Sequence, residues 1–330
     1  MAFWRTASPG AWAALAIAVV HFGAALFIGE RPLTGYFTLA WVGEIIAFLL
    51  LPAIVWLAIT VFHAIRAKAE SLVGHVASQL RAEKTRFADA ALLLLAYALV
   101  NRSYRAIKVA IPRLEEFWAD PLFVEWDRAL FGTDPWRLTH QFIGEAGTRA
   151  IDSAYFAWIT VVLIAYGVAA FARDRQLQIQ ASLTYLLVWI LLGNVMALWL
   201  SSAGPAFYDD FFGSDHYAPL MASLAQQDLF ANHLQGFLLE WKDDEAIGSG
   251  ISAMPSVHCA LTMLIVLLAH RVAGWKWALP ALAYHIVILV GSVHLGWHYA
   301  VDGLVSTALV LPLWWAVGWL ARKIEPEPDA

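Results

Sequence analysis

The sequence predicts an all-α polytopic membrane protein, and three observations carry that expectation. Of 330 residues, 61% are hydrophobic and only 14% are charged, whereas soluble domains carry roughly 25% charge. Too little polar surface remains to coat a water-soluble globule of this size. Apolar runs of the length that crosses a bilayer, about 17–25 residues, recur along the chain, and Lys and Arg collect in alternate loops. The seventeen Trp and ten Tyr fit the same class, because amphipathic rings settle at headgroup level. A net charge of −5 gives no reason to expect nucleic acid as a partner. Cys259 is the lone cysteine, so neither an intramolecular disulfide nor a cysteine zinc cage is possible, and in an apolar run it reads as packing.

Taken in order, the apolar runs fall near 11–28, 38–62, 88–107, 151–172, 181–202, 254–270, 277–294 and 298–320, which makes about eight transmembrane helices. The first follows a short head with Arg5, and no small-x-small cleavage site precedes Glu30-Arg31. It reads as a retained helix rather than a secretory signal. Asn101, Arg102 and Arg105 intrude on the end of the third run.

Orientation follows from the cations. Loop 66–87 holds Arg66, Lys68, Arg81, Lys84 and Arg86, loop 173–180 holds Arg173 and Arg175, loop 271–276 holds Arg271 and Lys276, and the tail holds Arg322 and Lys323. With both termini cytoplasmic, all of these lie on the cytoplasmic side. The opposite loop, 203–252, has Lys242 against Asp209, Asp210, Asp215, Asp228, Glu240, Asp243, Asp244 and Glu245. The stretch 101–149 breaks the bias with seven cations on the outer side, partly offset by acids. Long loops translocate regardless of charge. Alternatively Arg102, Arg105 and Lys108, three apart on one helical face, offer charge to a phosphate.

Segment 66–87 reads as an amphipathic cytoplasmic surface helix with Leu72, Val73, Val76 and Leu80 on one face. Segment 114–143, broken by Pro121 and the Gly132–Pro135 turn, reads as short interfacial helices roofing the external entrance. The expected organisation is a two-helix membrane segment with its surface helix over 1–87, a membrane catalytic domain over 88–323 and a disordered tail over 324–330.

The candidate chemistry lies between Ile251 and Leu304, where two apolar runs flank a short basic turn. His258 and His298 then return to one membrane face, the external one by the charge bias. His298 and Asp302 stand at i and i+4, one turn apart on one helix face. A carboxylate so placed orients the imidazole and stabilises its charged form, and such a histidine can attack phosphorus to give a phosphohistidine. The leaving oxygen needs a proton, which His258 can supply. Pro255-Ser256 reads as a helix entrance, where Ser256 caps and the free N–H groups favour a bound phosphate. Gly296 lets the backbone approach a ligand closely.

Pro255-Ser256-x-His258 followed by Gly296-x-His298-Tyr299-x-x-Asp302 resembles the type 2 phosphatidic acid phosphatase superfamily of lipid phosphatases and phosphotransferases. The resemblance, over roughly 100–320, implies a six-helix catalytic core. It also implies that His298 is the nucleophile, Asp302 its orienting acid and His258 the general acid. The phosphatase branch carries Lys-x6-Arg-Pro, but Ser201-Ser202-Ala203-Gly204-Pro205-Ala206-Phe207-Tyr208 keeps only the proline, and Gly291-Ser292 stands in place of Ser-Arg. Those losses, with Ala253-Met254 ahead of the first motif and Asp127-x-x-Leu130-Phe131-Gly132-x-x-Pro135 upstream, resemble the inositol phosphorylceramide synthase-like branch. That resemblance implies transfer of an inositol-phosphate-like headgroup between a lipid and an alcohol, and the missing cations fit Arg102, Arg105 and Lys108 as substitutes.

The expected activity is therefore headgroup transfer without a metal or other cofactor, in a cell inner membrane or equivalent, with a phospholipid or lipid phosphate as substrate. Alcohol is the acceptor; with water instead, the protein is a lipid phosphate phosphatase. Two other readings use the same residues. His294, His298, Asp302 and His258 could form a zinc site, although Gly296 breaks the 294/298 alignment; the pair Asp209-Asp210 or the run Asp243-Asp244-Glu245 could hold a cation. A transporter with a histidine gate would show paired polar interruptions in its two halves, and the sequence has none. His21, His63 and His285 read as satisfied structural residues, and Glu44 as a polar pairing within the second run.

Overall fold

The computed structural model describes residues 6–29, 39–240 and 250–325. The head at Arg5, Glu30-Arg31, the 243–245 acidic run and most of the tail lie outside the described residues, as does the side chain of Glu44.

Every regular element among the described residues is helical. The helices are α1 (Pro9–Ile28), α2 (Leu39–Arg66), α3 (Leu72–Ala82), α4 (Lys84–Leu114), α5 (Asp120–Phe131), α6 (Pro135–Phe142), α7 (Glu145–Phe156), α8 (Trp158–Ala170) and α9 (Arg175–Trp199). They continue with α10 (Pro205–Phe212), α11 (Ala218–Leu224), α12 (Phe230–Glu240), α13 (Val257–Ala273), α14 (Trp275–His294) and α15 (Ala300–Ile324). Their ends follow local chemistry. Ser8, Ser71 and Ser256 cap α1, α3 and α13 by accepting N–H bonds. Proline stands at the first or second position of α5, α6, α10 and α11, and left-handed Gly132 and Gly213 close α5 and α10.

Each of the eight predicted apolar runs falls on a helix or on the α7–α8 pair, but fewer qualify as spans. Among the described residues, α1, α9, α14 and α15 are long and apolar enough, and the pair α7–α8, bent by 41°, makes a fifth if counted as one. The 17 residues of α13 are short for a crossing, and α4 carries Arg102, Arg105 and Lys108 in its second half. Among the described residues, then, four or five helices pass this test of length and composition, against the eight spans the sequence predicts. The 203–252 stretch, read as a loop, forms the short helices α10, α11 and α12 up to residue 240.

By internal contacts the chain forms two compact units. The first comprises residues 1–102, 163–186 and 314–330. Here two buried acids hold the start of α1: Asp89 accepts from Ser8 N–H at 2.6 Å and Glu325 from Gly10 N–H at 2.8 Å, where the helix dipole favours negative charge. Arg175 lies 3.4 Å from Asp89 and 4.0 Å from Glu325. Tyr97, Tyr166 and Tyr185 pack against one another with tilted rings, Tyr185 edge-on to Tyr97, and Tyr166 donates to the Leu93 carbonyl at 2.5 Å. The surface helix α3 has no buried residue, and His63 is exposed on α2 rather than packed.

The second unit comprises residues 103–162 and 187–313. The hairpin α13–α14 turns at Gly274, φ 67°. His285 is held between Thr262 and Thr307 at 2.8 and 3.3 Å, which gives it a structural role, and Cys259 is fully buried. Within α9, residues Val188–Met196 wind as a π-helix. There a side chain on Gly193 would meet the Tyr104 ring at 2.7 Å, and Asn194 donates to the Tyr104 carbonyl.

Candidate active site

The hairpin brings its two ends together in the second unit. Ser256 accepts from Cys259 N–H at 3.4 Å, so α13 begins with His258 in its first turn. Helix α14 ends at His294, and the chain reverses through Gly296 at φ 76°, which a side chain would strain. The Ser292 carbonyl then accepts from both Trp297 and His298 N–H, at 2.9 and 3.0 Å. His298 therefore sits on a tied loop, two residues before α15, and Asp302 occupies the first turn of that helix.

His298 Nδ1 lies 3.3 Å from Asp302 Oδ2. The same carboxylate oxygen accepts from Tyr299 N–H at 3.1 Å, and Asp302 is fully buried. With Nδ1–H directed at the carboxylate, Nε2 is left as the nitrogen with a lone pair. His258 faces this ring at 5.8 Å between centroids and 62°. It packs against Tyr155 at 4.7 Å and Trp158 at 4.1 Å, and Trp158 Nε1 donates to the His258 carbonyl at 3.3 Å. Lys108 on α4 interacts electrostatically with both imidazoles. Arg105 is half-buried on the same helix, and Arg102 belongs to the first unit.

The acids that hold this loop were not among the site residues expected from the sequence, although Asp127 opens a motif noted there. Asp127 Oδ2 accepts from Ala300 N–H at 2.8 Å and Oδ1 from Val301 N–H at 2.9 Å, so a side chain from α5 caps α15, whose first turn carries Asp302. Burial, against those two bonds, raises the Asp127 carboxyl to about 7. One residue ahead of α15, the Tyr299 hydroxyl donates to Asp120 Oδ1 at 2.7 Å. Asp120 also accepts from Ala203 and Gly204 N–H, both at 2.8 Å, and its carboxyl too is raised, burial outweighing these bonds. Asp134 is held low despite its burial because Arg128 donates to it at 2.8 Å and His216 stands at 3.2 Å. The Asp127–Pro135 motif was visible in the sequence, but nothing in it named the distant N–H groups that its acid meets.

The positions where family cations are missing are filled by main-chain bonding. Ser201 and Ser202 are fully buried. The Ser202 carbonyl accepts from Ala253 N–H at 2.9 Å and its hydroxyl from Met254 N–H at 3.0 Å, which fixes the approach to Ser256. Gly204 adopts φ 93°, and a side chain there would meet the Trp297 carbonyl oxygen at 2.8 Å. Ser292 is buried and donates to the Leu289 carbonyl.

The geometry does not favour the zinc reading. Among the described residues no three His, Cys, Asp or Glu gather as ligands. His294 has Thr148 Oγ1 2.9 Å from Nε2 and Thr139 Oγ1 3.0 Å from Nδ1, so both of its nitrogens are engaged. Asp209 is likewise used locally, by Ser214 and Tyr217 N–H.

A histidine oriented by a buried acid, a second histidine across from it and a helix N-terminus make a set suited to nucleophilic attack on a phosphate ester. The family model described as the PAP2 superfamily matches residues 122–316, more than half of the chain, and the chain belongs to that superfamily. No curated protein and no solved structure matches it.

Proposed function

We propose that this PAP2 superfamily member is an integral-membrane lipid phosphotransferase that moves a phosphorylated, inositol-phosphate-like headgroup between a lipid and an alcohol. The observation that carries the reading is the His298–Asp302 contact of 3.3 Å with the His258 ring 5.8 Å from that of His298. Asp302 holds Nδ1–H of His298, so Nε2 attacks phosphorus. As the N–P bond forms, the bond from phosphorus to the leaving oxygen breaks, and His258 gives that oxygen its proton, a contribution of about 10²–10⁴ in rate. The acceptor alcohol then returns a proton to His258 and takes the group from the phosphohistidine. Lys108, together with Arg105 and Arg102, balances the phosphate charge, and the N–H groups behind Ser256 receive its oxygens. Gly296 sets the turn that presents His298.

Water as the acceptor would make the same site a lipid phosphate phosphatase. The missing family cations favour transfer, because they resemble the inositol phosphorylceramide synthase-like branch. No metal takes part in this reading. The catalytic domain occupies 88–323 with a six-helix core among eight spans, the termini are cytoplasmic and the site faces the opposite side. The test is product mass spectrometry on the purified protein with mixed phospholipid donors and alcohols, with and without EDTA. EDTA-insensitive headgroup exchange, abolished by His298→Ala, supports the proposal. Release of free phosphate alone replaces transfer by hydrolysis, and loss with EDTA or survival of His298→Ala refutes the phosphohistidine route. Cysteine labelling from each side of sealed vesicles tests the topology.

A further inference from the structure

The first unit contains a groove that the chemistry above does not use. Its volume is about 630 Å³, within the range of about 300–1,000 Å³ common to small-molecule sites. Ala53 of α2, Phe87, Ala91 and Leu94 of α4, and Phe171 line it with apolar surface. Phe87 is fixed edge-on between Trp56 at 4.6 Å and Phe171 at 5.7 Å, so the wall is built rather than loose. Arg81 and Lys84, from the junction of α3 and α4, also line it. The acid between them, Glu83, is ion-paired to Arg86, and among the described residues no carboxylate pairs with Arg81 or Lys84. The helices α2 and α3, which contribute Ala53, Leu80 and Arg81 to the lining, also carry exposed Ile54, Leu57 and Val73, a surface for hydrocarbon rather than water.

We infer that this groove is a binding site for one anionic phospholipid, with an acyl chain against Phe87, Ala91 and Leu94 and the headgroup phosphate at Arg81 and Lys84. The two halves of the lining select together. A soluble anion would have no use for the apolar wall, and a zwitterionic lipid would gain less from two unbalanced cations. None of its lining residues belongs to the catalytic set, so it does not depend on the catalytic reading.

Native mass spectrometry of the full chain, titrated with phosphatidylglycerol and with phosphatidylcholine of matched chains, tests this. Phosphatidylglycerol should bind at least tenfold more tightly. With each cation near a lipid surface contributing on the order of fivefold, Arg81→Gln together with Lys84→Gln should weaken phosphatidylglycerol about thirtyfold. Ala91→Trp, which fills the groove and leaves the cations, should weaken both lipids. Equal binding of the two lipids, unchanged affinity in either variant, or equal competition by free glycerol phosphate would each overturn the inference. Both variants should keep the turnover of the unaltered protein, so the same preparations report on the catalytic reading separately.

Discussion

Removing the Asp127 carboxylate tests how the nucleophile loop is held. Its two oxygens accept Ala300 and Val301 N–H at 2.8 and 2.9 Å at a buried helix start. In Asp127→Ala both donors lose their partner, and each unmade buried bond costs about 1–3 kcal/mol. Part of that is offset, because ionising a carboxyl held near 7 in the fold, against about 3.9 unfolded, already destabilises the native protein. The folded pKa is raised, so the fold binds the extra proton and wild-type stability falls as pH rises from about 4 to 7. The alanine variant lacks this loss. Its penalty should therefore be about 3 kcal/mol at pH 5.5 and smaller by about 2 kcal/mol at pH 8. Denaturant unfolding in detergent at the two pH values measures both, and Asp127→Asn, which keeps one acceptor oxygen, should fall between. A penalty that grows with pH, or none at pH 5.5, would refute the capping argument. Turnover of Asp127→Ala should fall in kcat more than in KM, since Asp302 rides on the loosened turn.

Three further outcomes follow from the site. His258→Ala should lose about 10²–10⁴ in rate on a lipid with an alkoxide leaving group and much less on a nitrophenyl ester, whose leaving oxygen needs no proton; equal losses would remove His258 as the acid. Lys108→Gln should raise KM about tenfold with Asp302–His298 geometry intact, and an unchanged KM for a phosphate ester would leave the charge balance to other groups. Gly204→Ala should destabilise the fold by about 2 kcal/mol or more, because it combines φ 93° with a contact of 2.8 Å to the Trp297 carbonyl; a thermal midpoint equal to that of the unaltered chain would contradict it.

The helices and the hairpin were legible because both rest on short-range pattern. Apolar runs locate α1, α9, α14 and α15, and His298 does meet Asp302, although it does so from the loop before α15 and not from the helix face that the spacing predicts. What crosses the chain was not legible. Asp120 and Asp127 sit about two turns of α5 apart, yet their partners are 83 and 173 residues away, and a carboxylate in sequence does not say which N–H it will meet. The same holds for His294, whose spacing suggested a ligand until Thr139 and Thr148 occupied its ring. The helices α10 and α11 did have a local signal. Pro205 and Pro219 near their starts and Gly213 after the first are helix punctuation, hidden by the acidic composition around them. The third run fails the test of an apolar span for a local reason: Arg102, Arg105 and Lys108 interrupt its second half.

The network around Asp120 also bears on redesign. Grafting the arginines of the phosphatase pattern into this chain would place one at Gly204, just ahead of Pro205, and one at Ser292. Those places are no longer vacant sockets. Ser201, Ser202 and Ser292 are fully enclosed, and Ala203, Gly204 and Tyr299 are knotted to one carboxylate. A guanidinium inserted there would displace main-chain bonds before it reached a ligand. Either substitution would therefore cost the fold the bonds and the close packing it now has at Gly204 or Ser292.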